Sequence, residues 1–251
     1  MIVYKSKSEI DMMRAAGRIL ARTLRLVSEE IAPGKTPKEL DALAHRLIEE
    51  QGGIPSFLGY RGSYPAATCI SVNEVVVHGI PTDIPLEEGD IISLDFGVIK
   101  DGWHADSAWT YPVGKISPEA QRLLNVTKES LYQGIAKARV GNRIGDIGHA
   151  VQKYVESQGY SVVRDLVGHG IGRNLHEEPH NVPMYGKPGK GELIKEGLTI
   201  CIEPMINMGT WKVNFLEDKW TVVTADGKLS AHFEHTVAVT RDGADILTVE
   251  E

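Results

Sequence analysis

Asp95, Asp106, His169, Glu203 and Glu234 are the residues of this 251-residue chain whose types and placement can do chemistry. Glu88-Gly89-Asp90-Ile91-Ile92-Ser93-Leu94-Asp95 falls, 108 positions on, upon Glu196-Gly197-Leu198-Thr199-Ile200-Cys201-Ile202-Glu203, acid upon acid. His104-Ala105-Asp106 falls on His232-Phe233-Glu234, and Val77-His78-Gly79-Ile80 matches Gly168-His169-Gly170-Ile171 at other offsets. Strand side chains alternate between faces, so Ser93 and Asp95 share one face and Ile92, Leu94 and Phe96 the other. The same parity sets Cys201 with Glu203, opposite Ile200 and Ile202. Each acid thus stands in an apolar strand that holds no Lys or Arg. A buried carboxylate in that position must take up a proton or find a cation. Four carboxylates balance two divalent ions, and shared carboxylates hold such a pair about 3.5–4 Å apart. One histidine among oxygen donors suits Mn²⁺, Fe²⁺, Co²⁺ or Zn²⁺ in an open catalytic site better than a thiolate-type structural zinc.

The elements that must position these residues repeat as well. Apolar residues at Ile10, Met13, Ala16, Leu20, Leu24 and Val27 predict an amphipathic helix from Ser8 to about Ile31. Thr36 as a cap, Pro37 at the first position and Glu39 predict a second helix to Gln51, stopped by Gly52-Gly53. The repeat predicts a matching pair at about Ser117–Ala138 and Ile144–Gln158, because Gly34 and Gln51-Gly52 recur as Gly141 and Gln158-Gly159. Strands are expected at 68–72, 91–98 and 109–112, then at 161–166, 199–202, 221–224 and 235–240. The reading is α+β: one domain over 1–251, made of halves at about 1–115 and 116–251 around a pseudo-two-fold axis. Its helices pack outside a curved, mainly antiparallel sheet.

Composition narrows the function classes. A net charge of −7 with no basic run removes the footprint of a nucleic-acid binder. Cys69 and Cys201 lie far apart in no paired motif, which fits a reducing compartment. The start lacks a signal-peptide pattern, and no apolar run could span a bilayer, so a cytoplasmic monomer is expected. Three local matches mislead. His176-Glu177-Glu178-Pro179-His180 has zincin spacing, but Pro179 would break the helix that motif needs. Asp95-Phe96-Gly97 lacks the other kinase elements. The Gly168–Gly172 stretch lacks the spacing of a phosphate cradle, so its glycines are expected to aim His169.

Taken in order, Val72-Asn73-Glu74, Val77-His78-Gly79-Ile80-Pro81, Asp95, Asp106, Gly168-His169-Gly170-Ile171-Gly172, His176-Glu177-x-Pro179, Ile202-Glu203-Pro204-Met205 and His232-Phe233-Glu234-His235-Thr236 resemble the type I methionine aminopeptidases. These are bacterial-type metallopeptidases of pita-bread fold, and the resemblance spans essentially the whole chain. It implies that Asp95 binds one metal, that His169 and Glu203 bind a second, and that Asp106 and Glu234 bridge both. It also implies that an activated hydroxide attacks the first peptide carbonyl, with Glu203 moving the proton. His176 would stabilise the oxyanion, and His78 would meet the substrate near the departing nitrogen. Phe57, Tyr60, Tyr64, Cys69, Leu175 and Trp220 stand where the family's methionine pocket lies, and soft apolar contacts suit a thioether. The implied substrate is the N-terminal initiator methionine of a nascent chain with a small second residue, and transient ribosome contact is the accompanying expectation. Two segments depart from the family pattern. The stretch from Tyr60 to Cys69 is one residue longer, and His180-Asn181-Val182-Pro183 replaces a shorter segment; both would alter the pocket rim. Two other readings compete. A proline-directed peptidase of the same fold, such as aminopeptidase P or prolidase, normally carries a further N-terminal domain. A non-catalytic peptide-binding module should have lost metal ligands, and all five are present.

Overall fold

A computed structural model describes residues 1–250. The first half opens with α1 (Lys7–Ser28) and α2 (Pro37–Glu50), followed by β1 (Ile54–Pro55), β2 (Cys69–Val72), β3 (Val75–Val77), β4 (Ile91–Lys100) and β5 (Trp103–Pro112). The second half repeats the helix pair as α3 (Pro118–Ile135) and α4 (Ile144–Ser157). Its strands are β6 (Ser161–Val162), β7 (Gly168–Gly170), β8 (Glu177–Val182), β9 (Thr199–Ile202), β10 (Met205–Asn207), β11 (Val213–Phe215), β12 (Val222–Thr224), β13 (Ser230–His232), β14 (His235–Thr240) and β15 (Gly243–Ile246). Among the described residues no helix is long and apolar enough to cross a membrane.

The four expected helices form, and their starts follow capping chemistry. Ser6, two residues before the expected Ser8, caps α1 and exchanges hydrogen bonds with Glu9; Thr36 and Glu39 do the same for α2. Each box satisfies backbone N–H groups that a helix start leaves bare. Helix α1 ends at Ser28, short of the expected Ile31. The strand expected over 161–166 shrinks to Ser161–Val162, and β5 begins at Trp103, six residues before the expected Trp109. Asp101 (φ 50°) and Gly102 (φ 75°) form the two-residue turn of a β4–β5 hairpin that pairs Lys100 with Trp103. Two left-handed residues in succession match the twist of paired strands, which is why Asp-Gly serves there.

Every strand pairing is antiparallel. The sheet is not one continuous ladder as expected. It is divided into β1-β4-β2 with β5 on β4, β15-β14-β9-β7-β8, β13-β10-β6, and β11-β12-β3. Register shifts at Val222/Val223 and Gly168/Gly170 interrupt the pairing, and where β5 meets β13 and β14 side-chain hydroxyls take over most of it. Ile92, Leu94 and Phe96 pack under Leu20 and Leu24 of α1 and Leu40, Ala44 and Ile48 of α2. In the other half α3 and α4 cover Ile200 and Ile202 through Leu123, Leu131, Ile147 and Val151, and Trp109 packs on both clusters. Burial of each such Leu, Ile or Phe contributes about 1.5–3 kcal/mol. The helices therefore hold the apolar face of β4 and β9, and the acids are left on the opposite face.

Candidate metal centre

Parity along β4 turns Ser93, Asp95 and Gly97 away from the helices, and the β4–β5 register sets Gly97 opposite Asp106 and Asp95 opposite Ala108. Asp95 and Asp106 are therefore diagonal neighbours on one face. Glu203 follows β9 directly, and Glu234 lies between β13 and β14. His169 comes from the middle of β7, where its Nδ1 donates to the Gly170 carbonyl at 2.9 Å. That bond places the remaining lone pair on Nε2, as in an imidazole that ligates a metal through one nitrogen and donates to a carbonyl through the other. Nε2 lies 3.7 Å from Glu203 Oε1 and 3.9 Å from Asp106 Oδ2.

All the residues singled out in the sequence line one cavity of about 290 Å³. Asp95, Asp106, His169, Glu203 and Glu234 line it together with His78 and His176, whose ring lies 3.9 Å from that of His169, and Phe57, Tyr60, Tyr64, Cys69, Leu175 and Trp220 form one apolar cluster in the same lining. Tyr64 is buried despite the longer loop. It meets Phe57 and Trp220 edge-on at 6.5 and 5.1 Å between centroids, and its hydroxyl donates toward Gly79 O. His78 has a left-handed φ of 59°, and a Cβ on the following Gly79 would stand 2.3 Å from the Ile70 carbonyl. Only glycine permits that approach, so the turn presenting His78 depends on it. Tyr60 reaches His176 Nδ1 at 2.6 Å. The zincin-like segment runs into strand β8 and not a helix, so its two histidines are not stacked one helical turn apart.

The electrostatics call for cations. Asp95 Oδ1, Asp106 Oδ1, Glu203 Oε1 and Glu234 Oε1 are buried without a hydrogen-bond partner. Among the described residues, these acids have ion-pair contacts only with His169 and His232. Burial pushes the Asp95 carboxyl up to about 8, and burial with mutual repulsion pushes Asp106, Glu203 and Glu234 well above the usual carboxylate range. Burial likewise drives His78 and His169 down to about 4 and His176 down to about 3, so all three are neutral near pH 7. Neutral imidazole beside orphaned carboxylate oxygens is the donor set that divalent ions require.

Two residues close to the acids were not expected in the site. His232 is buried, with an unpartnered Nε2 3.8 Å from Glu203 Oε2 and 4.0 Å from Glu234 Oε2. Its signal was available, since a residue two positions before Glu234 shares its face of a strand. The Cys201 thiol, whose parity with Glu203 was legible, lies with donor atoms of Asp106, His169 and Glu234 inside one 4.8 Å cluster. Both cysteines are buried and free.

The model of metallopeptidase family M24 matches residues 11–241. The chain belongs to metallopeptidase family M24. Membership implies use of divalent metal, in keeping with the orphaned acids. This M24 chain is 53% identical to the methionine aminopeptidase of Clostridium perfringens (strain 13 / Type A), with 99% of each chain covered. It is also 53% identical to methionine aminopeptidase 1 of Bacillus subtilis (strain 168), again over 99% of each. Its fold matches the crystal structure of methionine aminopeptidase from Thermotoga maritima with a TM-score of 0.97, at 46% identity and with all of both chains covered. The α+β pita-bread architecture expected from the sequence is thus the architecture found.

Proposed function

We propose that this M24 enzyme is a methionine aminopeptidase that removes the initiator methionine of nascent chains in the cytoplasm, with a small second residue preferred. The observation that carries the reading is the apolar cluster of Phe57, Tyr64, Cys69, Leu175 and Trp220, which lines the same cavity as the carboxylates and joins them where Cys69 pairs with Asp95. Aromatic edges and a thiol form a soft surface that follows the flexible, polarisable side chain of methionine. Full-length relatives that bear this name support the same choice over a proline-directed peptidase.

The residues present fit two divalent ions of Fe²⁺, Mn²⁺, Co²⁺ or Zn²⁺. Asp95 would hold one, His169 and Glu203 the other, and Asp106 and Glu234 both; four carboxylates then match four positive charges. When bound, such ions polarise a carbonyl and make water a nucleophile at neutral pH. The rest falls to the chain. A substrate with its methionine in the apolar slot sets its first peptide bond over the acids. The Glu203 side chain, 13% exposed toward the cavity, can take a proton from water and pass it to the departing amine. A Tyr60 phenol donating to Nδ1 would leave the proton of neutral His176 on Nε2, as an N–H donor for the developing oxyanion. His78, which lines the same cavity, would meet the peptide nitrogen.

Two measurements test this. Met-Ala-Ser should be cleaved faster than any Xaa-Pro peptide; the reverse order would refute the substrate assignment. Asp106→Asn or Glu234→Gln should abolish turnover while the protein stays folded. Near-native activity of either variant with excess metal would sink the shared-ligand assignment.

A further inference from the structure

The two carboxylates proposed to be shared come from different halves, and the contact between those halves is unusual. Strand β5 and the segment from β13 to β14 run antiparallel, with Asp106 opposite Thr236, Ala108 opposite Glu234 and Thr110 opposite His232. At the centre the Glu234 N–H donates to the Ala108 carbonyl at 2.8 Å. At both ends a threonine hydroxyl takes the place of a backbone partner. Thr236 Oγ1 accepts the Asp106 N–H at 2.9 Å and donates to the Asp106 carbonyl at 2.8 Å. Thr110 Oγ1 does the same to His232, at 2.9 and 2.8 Å. The two contacts have the same spacing, since Thr110 follows Asp106 by four residues as Thr236 follows His232.

We infer that Thr236, and with it Ser107, are positioning residues that set the spacing between the Asp106 and Glu234 carboxylates across the seam. Ser107 Oγ donates to the Glu234 carbonyl at 2.6 Å, so the main chain of each acid is held by a hydroxyl from the opposite half. Asp106 and Glu234 each have a carboxylate oxygen without a hydrogen-bond partner, and among the described residues no Lys or Arg pairs with either, only His169 and His232. Their separation before any metal binds therefore rests on these main-chain bonds. A hydroxyl suits the task because one atom both accepts and donates. A direct backbone ladder would bring the two strands closer than the hydroxyl spacing allows. The Cys201 thiol, 3.6 Å from Thr236 Oγ1, buttresses the same hydroxyl.

The inference rests on the reading that Asp106 and Glu234 share the metals, and the test separates the two. Apparent affinity for Mn²⁺ is measured by chelator competition, and the visible spectrum of the Co²⁺-loaded protein is recorded. Thr236→Val keeps the side-chain shape and deletes the hydroxyl. It should weaken Mn²⁺ binding about 10- to 100-fold, the effect typical of lost outer-shell support. It should also alter the Co²⁺ bands and lower kcat with little change in KM. Thr236→Ser should restore all three. If Thr236→Val is insoluble, Ser107→Ala decides, with an expected loss of affinity of at least about 10-fold on the same ground. Wild-type affinity and spectrum in a folded Thr236→Val, or in Ser107→Ala, overturn the inference even if the melting temperature falls. Asp106→Asn serves as the reference. If it too binds Mn²⁺ normally, the shared-ligand reading has failed; if it alone loses the metal, only the positioning role has failed.

Discussion

Replacing Lys5 with Met should cost this protein about 3 kcal/mol, because it strips a largely buried carboxylate of the one Lys or Arg that pairs with it among the described residues. Lys5 Nζ lies 2.6 Å from Glu177 Oε2, with 2% and 13% of the two side chains exposed. Removing one partner of a buried pair typically costs about 3–5 kcal/mol. The lower end applies here, since Glu177 Oε1 keeps the Asn174 N–H at 3.0 Å. At 251 residues that corresponds to a fall in melting temperature of about 6–12 °C. The pH dependence supplies a second signature. Burial raises the Glu177 carboxyl, but Lys5 and the Asn174 N–H lower it further, so it lies below its ordinary value of 4.5. A depressed carboxylate contributes stability that is present above its unfolded value and lost as pH falls through the folded one. The gap between wild type and Lys5→Met should accordingly be full at pH 7 and close below about pH 4.5. Urea melts at pH 7 and pH 3.5 measure it, and Lys5→Met/Glu177→Gln should recover part of the loss. A penalty under about 1 kcal/mol at pH 7, the scale of an exposed pair, or one unchanged at pH 3.5, would refute the argument.

Two further outcomes follow from the site. In the metal-free protein the four acids have raised folded values, so their contribution is present at low pH and is lost as pH rises, through about 8 for Asp95. Melting temperature in the presence of a chelator should therefore fall from pH 5 to pH 9, and added Mn²⁺ should remove most of that slope; parallel curves would contradict the assignment of these acids as ligands. Tyr60→Phe keeps the ring but loses the 2.6 Å bond to His176, and kcat should drop about 2- to 12-fold at unchanged KM, the value of one hydrogen bond. An effect on KM alone would place Tyr60 in binding and not in orienting His176.

Much of the helical frame was legible because it obeys local rules. The apolar period of α1 and the Thr36–Glu39 box of α2 follow from neighbouring residues, whatever lies across the molecule. The short strands were not legible. Three-residue pieces such as Ser230–His232 and Gly168–Gly170 carry too little alternation to signal themselves and exist because a distant partner pairs with them. The early start of β5 could have been read from Asp101-Gly102, a two-residue hairpin turn. His232 could have been read from its parity with Glu234, but a histidine beside a motif acid carries no sign of burial until the strands are packed.

The sequence by itself determined which face of its strand each acid takes. Parity turns Asp95 and Glu203 away from the helix-covered face, and backbone geometry enforces that wherever a strand forms. What the tertiary structure alone decided is the state of those groups and the distances between them. Burial from all sides leaves four carboxylate oxygens without partners and the histidines neutral. The register of β5 against β14, which sets Asp106 near Glu234, depends on hydroxyls about 130 residues apart in the chain. Desolvation and register are sums over non-local contacts, and no local pattern encodes them.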